Sequence, residues 1–246
     1  MRQWIHTNKN MSFSYYEVYT TSLRAFSSMG FPYGADEDAA YIIAWLELNK
    51  FNGLNSLVNS IEEVDNKYDG KINPNALNNS SLDLNYSSLL MKGPGLIDFY
   101  QSELDDKKDL HLTLNNCPNP EYLLPLLYRS SKKIHYSNAI WLDTNNQIQC
   151  CEVKKNIMKI GKVPNQELVD NKQVKIFFSQ EHKIQKKFDS VTCTITSKKI
   201  QDNLANGISP NENNWKIISK LAARTFVPES EESRIKGAGG SDDAND

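Results

Sequence analysis

Tyr15, Val18, Tyr19, Ser22, Phe26 and Met29 recur three or four positions apart, the spacing that lines one side of an α-helix. Ser14 and Glu17 form a capping box at its start, and Gly30 and Pro32 end it. A second helix is predicted over 36–50. Asp36, Glu37 and Asp38 sit at its positive N-terminal end, and Ala39, Ile42, Ile43 and Leu46 form an apolar stripe. Tyr41, Ala44, Trp45 and Leu48 make its other side apolar too, so it is expected to touch more than one neighbour, with Gly53 in its C-terminal cap region. Leu57, Val58, Ile61 and Val64 predict a third helix. A turn at Asp69 and Gly70 and a polar connection over 74–88 follow.

After Leu89 to Met91, an apolar piece stopped by Gly93, Pro94 and Gly95, the period changes. Pro120 opens a short helix with Leu123, Leu124, Leu126 and Leu127 buried, and strands are predicted over 134–142, 147–153, 174–179 and 191–196. Asn145 and Asn146 join the first two as a hairpin. In the last, Val191, Cys193 and Ile195 alternate with Thr192, Thr194 and Thr196, as in a half-exposed antiparallel strand. Ser209, Pro210 and Glu212 read as a second capping box before a helix carrying Trp215, Ile218, Leu221 and Ala222, which Pro228 ends. The expected fold class is α+β: a helical N-terminal part, an antiparallel or mixed sheet in the middle, a C-terminal helix and a glycine-rich tail. Residues 1–11 read as an extension, 12–228 as a single domain (12–72 helical, 130–200 sheet-rich) and 229–246 as a glycine-rich acidic tail.

Composition narrows the chemistry. Among 246 residues, 28 basic and 30 acidic side chains nearly cancel, leaving no overall field for nucleic acid or an anionic membrane. No apolar run approaches the ~20 residues of a spanning helix, and the start of the chain has no signal-peptide pattern. Cys117, Cys150, Cys151 and Cys193 lack paired spacing, which suits a reducing cytoplasm. His6, His111, His135 and His182 lie far apart, none in the i, i+4 relation of a metal site, so no metal is expected. Neither a G-x-S-x-G elbow nor a phosphate loop is present, and Gly93-Pro94-Gly95 lacks the third glycine of a dinucleotide fingerprint.

Only Arg2, Arg24, Arg129, Arg224 and Arg234 are arginine, so each is a better candidate than any one lysine for fork-like carboxylate or phosphate binding. Near the carboxyl end Arg224, Ser230, Ser233 and Arg234 precede Gly237, Ala238, Gly239 and Gly240, where successive backbone amides can form an anion-binding nest. The candidate ligand-binding residues are therefore Arg224, Ser230, Ser233, Arg234, Gly237 and Gly239.

The segment Arg224-Thr225-Phe226-Val227-Pro228, with Ser230-Glu231, Ser233-Arg234 and Gly237-Ala238-Gly239, resembles the closing signature of an uncharacterised bacterial family, a domain of unknown function. The start at Met11-Ser12 and the acid-alanine helix from Glu37 to Trp45 fit the same family. Residues 12–76 also resemble the N-terminal part of the nicotinamide-dependent malate and lactate dehydrogenases of the non-Rossmann type. Gly53-Leu54-Asn55-Ser56 falls where that family has Gly, an aliphatic residue, Asp and Ser, and Gly70 to Ala76 is similar to its later Gly, Ile-Asn-Pro and Ala. That resemblance implies a catalytic His at the next position, which exchanges a proton with the substrate. This chain has Leu57, and leucine cannot transfer a proton.

Three readings follow, in this order. The first is a cytosolic protein, an accessory or regulatory subunit, that holds a small anionic metabolite through Arg224, Arg234 and the glycine end. The second is a diverged nicotinamide-dependent hydroxy-acid oxidoreductase in which another base, His111 or His135, has replaced the missing one. The third is a protein-protein interaction module whose tail docks a partner and orders on binding; a protein partner or a homo-oligomer fits this reading. Membrane and nucleic-acid partners are not expected, and the residues name no cofactor for the first reading.

Overall fold

The computed structural model describes residues 12–73, 77, 80–164, 170–181 and 186–226. It is an α+β fold of seven helices and a seven-stranded mixed sheet among these residues. The helices are α1 (Tyr15–Ser28), α2 (Ala35–Leu48), α3 (Gly53–Val64), α4 (Leu89–Glu103), α5 (Leu123–Ser130), α6 (Ser197–Asn206) and α7 (Glu212–Ala222). The strands are β1 (Ser81–Asp83), β2 (Asp109–Asn115), β3 (Tyr136–Leu142), β4 (Ile148–Lys154), β5 (Ile157–Lys162), β6 (Val174–Ser179) and β7 (Ser190–Ile195).

The capping box forms as the sequence predicts: the Glu17 N–H donates to Ser14 Oγ at 3.2 Å, and the Ser14 N–H donates to the Glu17 carboxylate at 2.7 Å. Helix α2, apolar on both sides, buries Ala39, Ala40, Ile42, Ile43, Ala44 and Leu46 completely, with neighbours all round it. Two boundaries differ from expectation. Gly53 starts α3 instead of ending α2, because any side chain there would run into the Ile43 carbonyl oxygen and Leu46. Helix α7 starts at Glu212, since Asn211 Oδ1 accepts from the N–H groups of Asn213 and Asn214 and so outcompetes Ser209 as the cap.

Gly93-Pro94-Gly95 does not stop a helix; it lies inside α4. Tertiary packing overrides the local breakers, for Gly93 sits against α5, where a Cβ would lie 2.8 Å from Leu126. Ser88 caps α4, its Oγ accepting from the Leu90 N–H.

The sheet order is β1-β2-β6-β3-β4-β5-β7, antiparallel throughout except for the parallel pair β1 and β2. Each hairpin turn carries an asparagine, a residue that tolerates left-handed backbone: Asn146 (φ 57°) between β3 and β4, and Asn156 (φ 58°), next to Lys155 (φ 52°), between β4 and β5. One face of the sheet, with Leu112, Leu114, Ala139, Trp141, Cys151, Val153, Val174, Ile176 and Phe178, joins the helices in a single core. The opposite face holds a smaller cluster of Ile140, Ile148, Cys150 and Val163. Among the described residues, no helix is long and apolar enough to cross a membrane.

Candidate functional site

Leu57 lies on α3, at the position where the resemblance implies a catalytic imidazole. Asn52 takes left-handed backbone (φ 52°) and Gly53 brings α3 hard against α2. The Leu54 N–H donates to the Glu47 carboxylate at 2.9 Å, so the chain itself answers one open donor at this helix start. Leu57 is fully buried in the main core. Segment 117–122 packs beside it on α3: Ser60 Oγ donates to the Ser56 carbonyl at 2.9 Å, stands 3.2 Å from the Tyr122 hydroxyl, and accepts from Asn119 at 3.2 Å. Burial pushes the Glu121 carboxyl up despite its hydrogen bond with Ser56, raises the Tyr122 phenol, and pushes the Cys117 thiol up to about 12. This corner is packed, and burial disfavours the charged forms of its carboxyl, thiol and phenol. It presents leucine where the resemblance implies a proton carrier.

The two histidines considered as replacement bases do not come to Leu57. His111 is exposed on β2, on the sheet face opposite the main core, with its ring 4.7 Å from that of Phe177. His135, also exposed, has Nδ1 3.0 Å from the Gln180 carbonyl. No group of three or more potential metal ligands occurs among the described residues.

Of the six residues singled out at the carboxyl end, Arg224 lies in the single turn after α7, while Ser230, Ser233, Arg234, Gly237 and Gly239 lie outside the described residues. Arg224 Nη1 contacts both carboxylate oxygens of Asp65, at 3.1 and 2.9 Å, tying the end of α7 to the end of α3. Beside it the Arg24 guanidinium stands 5.3 Å over the Phe226 ring.

A different arginine lines a cavity. Helices α1, α2, α5 and α6 and the β4–β5 turn meet around a cleft of about 470 Å³. Tyr15, Tyr41, Trp45 and Tyr128 supply rings; Arg129 and Lys132 supply positive charge; Asn156 supplies an amide; Leu48, Ile200 and Leu204 supply apolar wall. The rings are braced: Trp45 lies 5.7 Å from Tyr128 and parallel to Phe51 at 6.2 Å. Arg129 is held twice, by an ion pair from Nη1 to Asp38 at 2.6 Å and by its position 5.0 Å over the Tyr41 ring. Only one guanidinium nitrogen meets Asp38, so further N–H donors of the fork remain for a ligand. Burial pushes the Tyr15 phenol up to about 12 and that of Tyr41 higher still, so both hydroxyls keep their protons at neutral pH. The Tyr41 hydroxyl donates to the Pro125 carbonyl at 3.3 Å.

A second cavity of about 440 Å³ lies between Glu47, Lys50, Asn52, Asn203 and Asn206. Its glutamate is engaged with Leu54 and offsets its one lysine, so it carries no excess of charge for a ligand.

Arg129 was within reach of sequence reasoning, as one of five arginines, but nothing along the chain relates it to Tyr15, Tyr41 or α6. Those relations come from tertiary packing.

The geometry defines an α+β fold of a known class. The chain is similar to a dehydrogenase from Sinorhizobium meliloti, with TM-score 0.61 and 8% identity over 87% of this chain and 99% of that one. It is also similar to a malate dehydrogenase from Pyrococcus horikoshii OT3 (TM-score 0.58, 10% identity, 94% and 100% covered) and to a sulfolactate dehydrogenase from Methanocaldococcus jannaschii (0.55, 7%, 86% and 96%). At these identities what is shared is the fold. In sequence, the family described as Protein of unknown function (DUF3726) matches residues 13–84, the stretch from α1 to the end of β1 and its following residue. No curated protein gives a significant sequence match.

Proposed function

We propose that this protein binds a small organic anion without transforming it, using a dehydrogenase-like scaffold whose proton-transfer position is closed. The observation that carries the reading is the cleft itself, where Arg129 and Lys132 stand among four aromatic side chains in a formed cavity. Leu57 supports it from the other side: an apolar side chain sealed in the core neither donates nor accepts a proton. A metabolite-sensing accessory or regulatory subunit is the role that suits both.

A thermal-shift screen of the whole protein against 2-hydroxy acids, 2-oxo acids, phosphorylated metabolites and nicotinamide dinucleotides tests this. A ligand ~100-fold above its Kd adds about 2.7 kcal/mol of stability. The expected result is a shift with a carboxylic acid that Arg129→Gln removes and Arg234→Ala leaves intact. The opposite pattern would move the site to the carboxyl-terminal arginine and glycine segment. Turnover of a hydroxy acid with a nicotinamide cofactor would overturn the reading in favour of an oxidoreductase.

A further inference from the structure

We infer that the ligand of the Arg129 cleft is a planar aromatic carboxylate, a ring system carrying one acid group. This rests on the anion-binding reading and narrows it.

Three features of the cleft select that class. Charge is confined to one end: Arg129 and Lys132 are three positions apart at the close of α5, and the rest of the wall is aromatic or aliphatic apart from the Asn156 amide and the Ser197 hydroxyl. A carboxylate at that end meets the free donors of a guanidinium already oriented by Asp38 and Tyr41, which suits a two-point contact. Ser197 opens α6, so the positive end of that helix dipole adds to the same preference for negative charge.

The second feature is α6. Among its residues none is fully buried, yet Ile200 and Leu204, one turn apart, both line the cleft, and Leu204 is 46% exposed. Ile200 packs partly against the main core while Leu204 stays open, so the helix offers an exposed apolar edge beside the rings that gains by covering with apolar area.

Size is the third. A volume of 470 Å³ equals about sixteen water volumes at ~30 Å³ each, room for a one- or two-ring acid. Partly exposed rings such as Tyr15 and Tyr128, the latter braced by Trp45, favour another ring at offset or tilted stacking distance over a flexible chain.

Isothermal titration of the full-length protein with three probes tests the inference: 2-naphthoate (ring and charge), cyclohexanecarboxylate (charge, saturated ring) and 2-naphthamide (ring, no charge). 2-Naphthoate is expected to bind at least tenfold more tightly than either of the others. Arg129→Gln should bring it down to the level of the amide. Lys132→Gln, at an exposed position where folding is not at stake, should weaken it several-fold. Equal binding of the aromatic and saturated acids would overturn the aromatic class and leave the anion reading standing. Equal binding of the acid and the amide, or no response to either carboxylate, would overturn both.

Discussion

Leu57 and Arg129 are the two residues on which the functional account turns, and each makes its own prediction. Leu57 is sealed in the core, so Leu57→Ala should cost about 2–5 kcal/mol in chemical denaturation, the range for a buried leucine that leaves a cavity. Leu57→His should also destabilise the fold, because it places a polar imidazole where the side chain is fully enclosed by the core. Glu121 supplies a pH test. Its folded-state pKa lies above the ordinary glutamate value of ~4.3, so the folded chain keeps this proton longer than the unfolded one. The resulting stability is fully present below the unfolded value and is lost as pH rises through the folded one. Glu121→Gln stays neutral at every pH. Urea denaturation should therefore show the variant's stability, taken relative to the parent's, rising as pH climbs from the unfolded value through the folded one; a relative stability that falls over that interval would contradict the assignment.

At the scale of single elements, glycines separate what the chain requires from what it tolerates. Gly53 faces the Ile43 carbonyl with no room for a methyl group, so Gly53→Ala should destabilise by about 1–3 kcal/mol. Gly95 is exposed inside α4, and a Cβ there would meet nothing nearer than Ile72 at 3.7 Å. Gly95→Ala should raise stability by about 0.5–1 kcal/mol, the helix-propensity difference, read from denaturant midpoints. The same helix shows where sequence legibility ends. The capping box of α1, the two-sided apolarity of α2 and the hairpin at Asn145 and Asn146 are local signals, and the structure carries all three. Helix α4 contradicts its local signals: Pro94 is buried inside it, and Gly93 lets it lie close against Leu126 of α5. Strand β2 alternates Leu110, Leu112 and Leu114 with His111 and Thr113, a pattern present in the sequence but too short to stand out among polar neighbours.

For the whole molecule, the α+β class was legible because the hydrophobic period changes from helical to alternating near the middle of the chain. Strand order was not, since β6 inserts between β2 and β3 and β7 closes the far edge, pairings between segments remote in sequence. The cleft shares that origin. Its rings come from α1, α2 and α5, its apolar edge from α6, and its amide from a hairpin turn, so the site exists only once the sheet and helices have assembled. The most direct test of the central claim is a methyl NMR map on isoleucine- and leucine-labelled protein titrated with an aromatic carboxylate. The account predicts shifts concentrated at Leu48, Ile200 and Leu204, with Leu57 unmoved. Shifts centred on Leu57, or none in the cleft at saturating ligand, would contradict it.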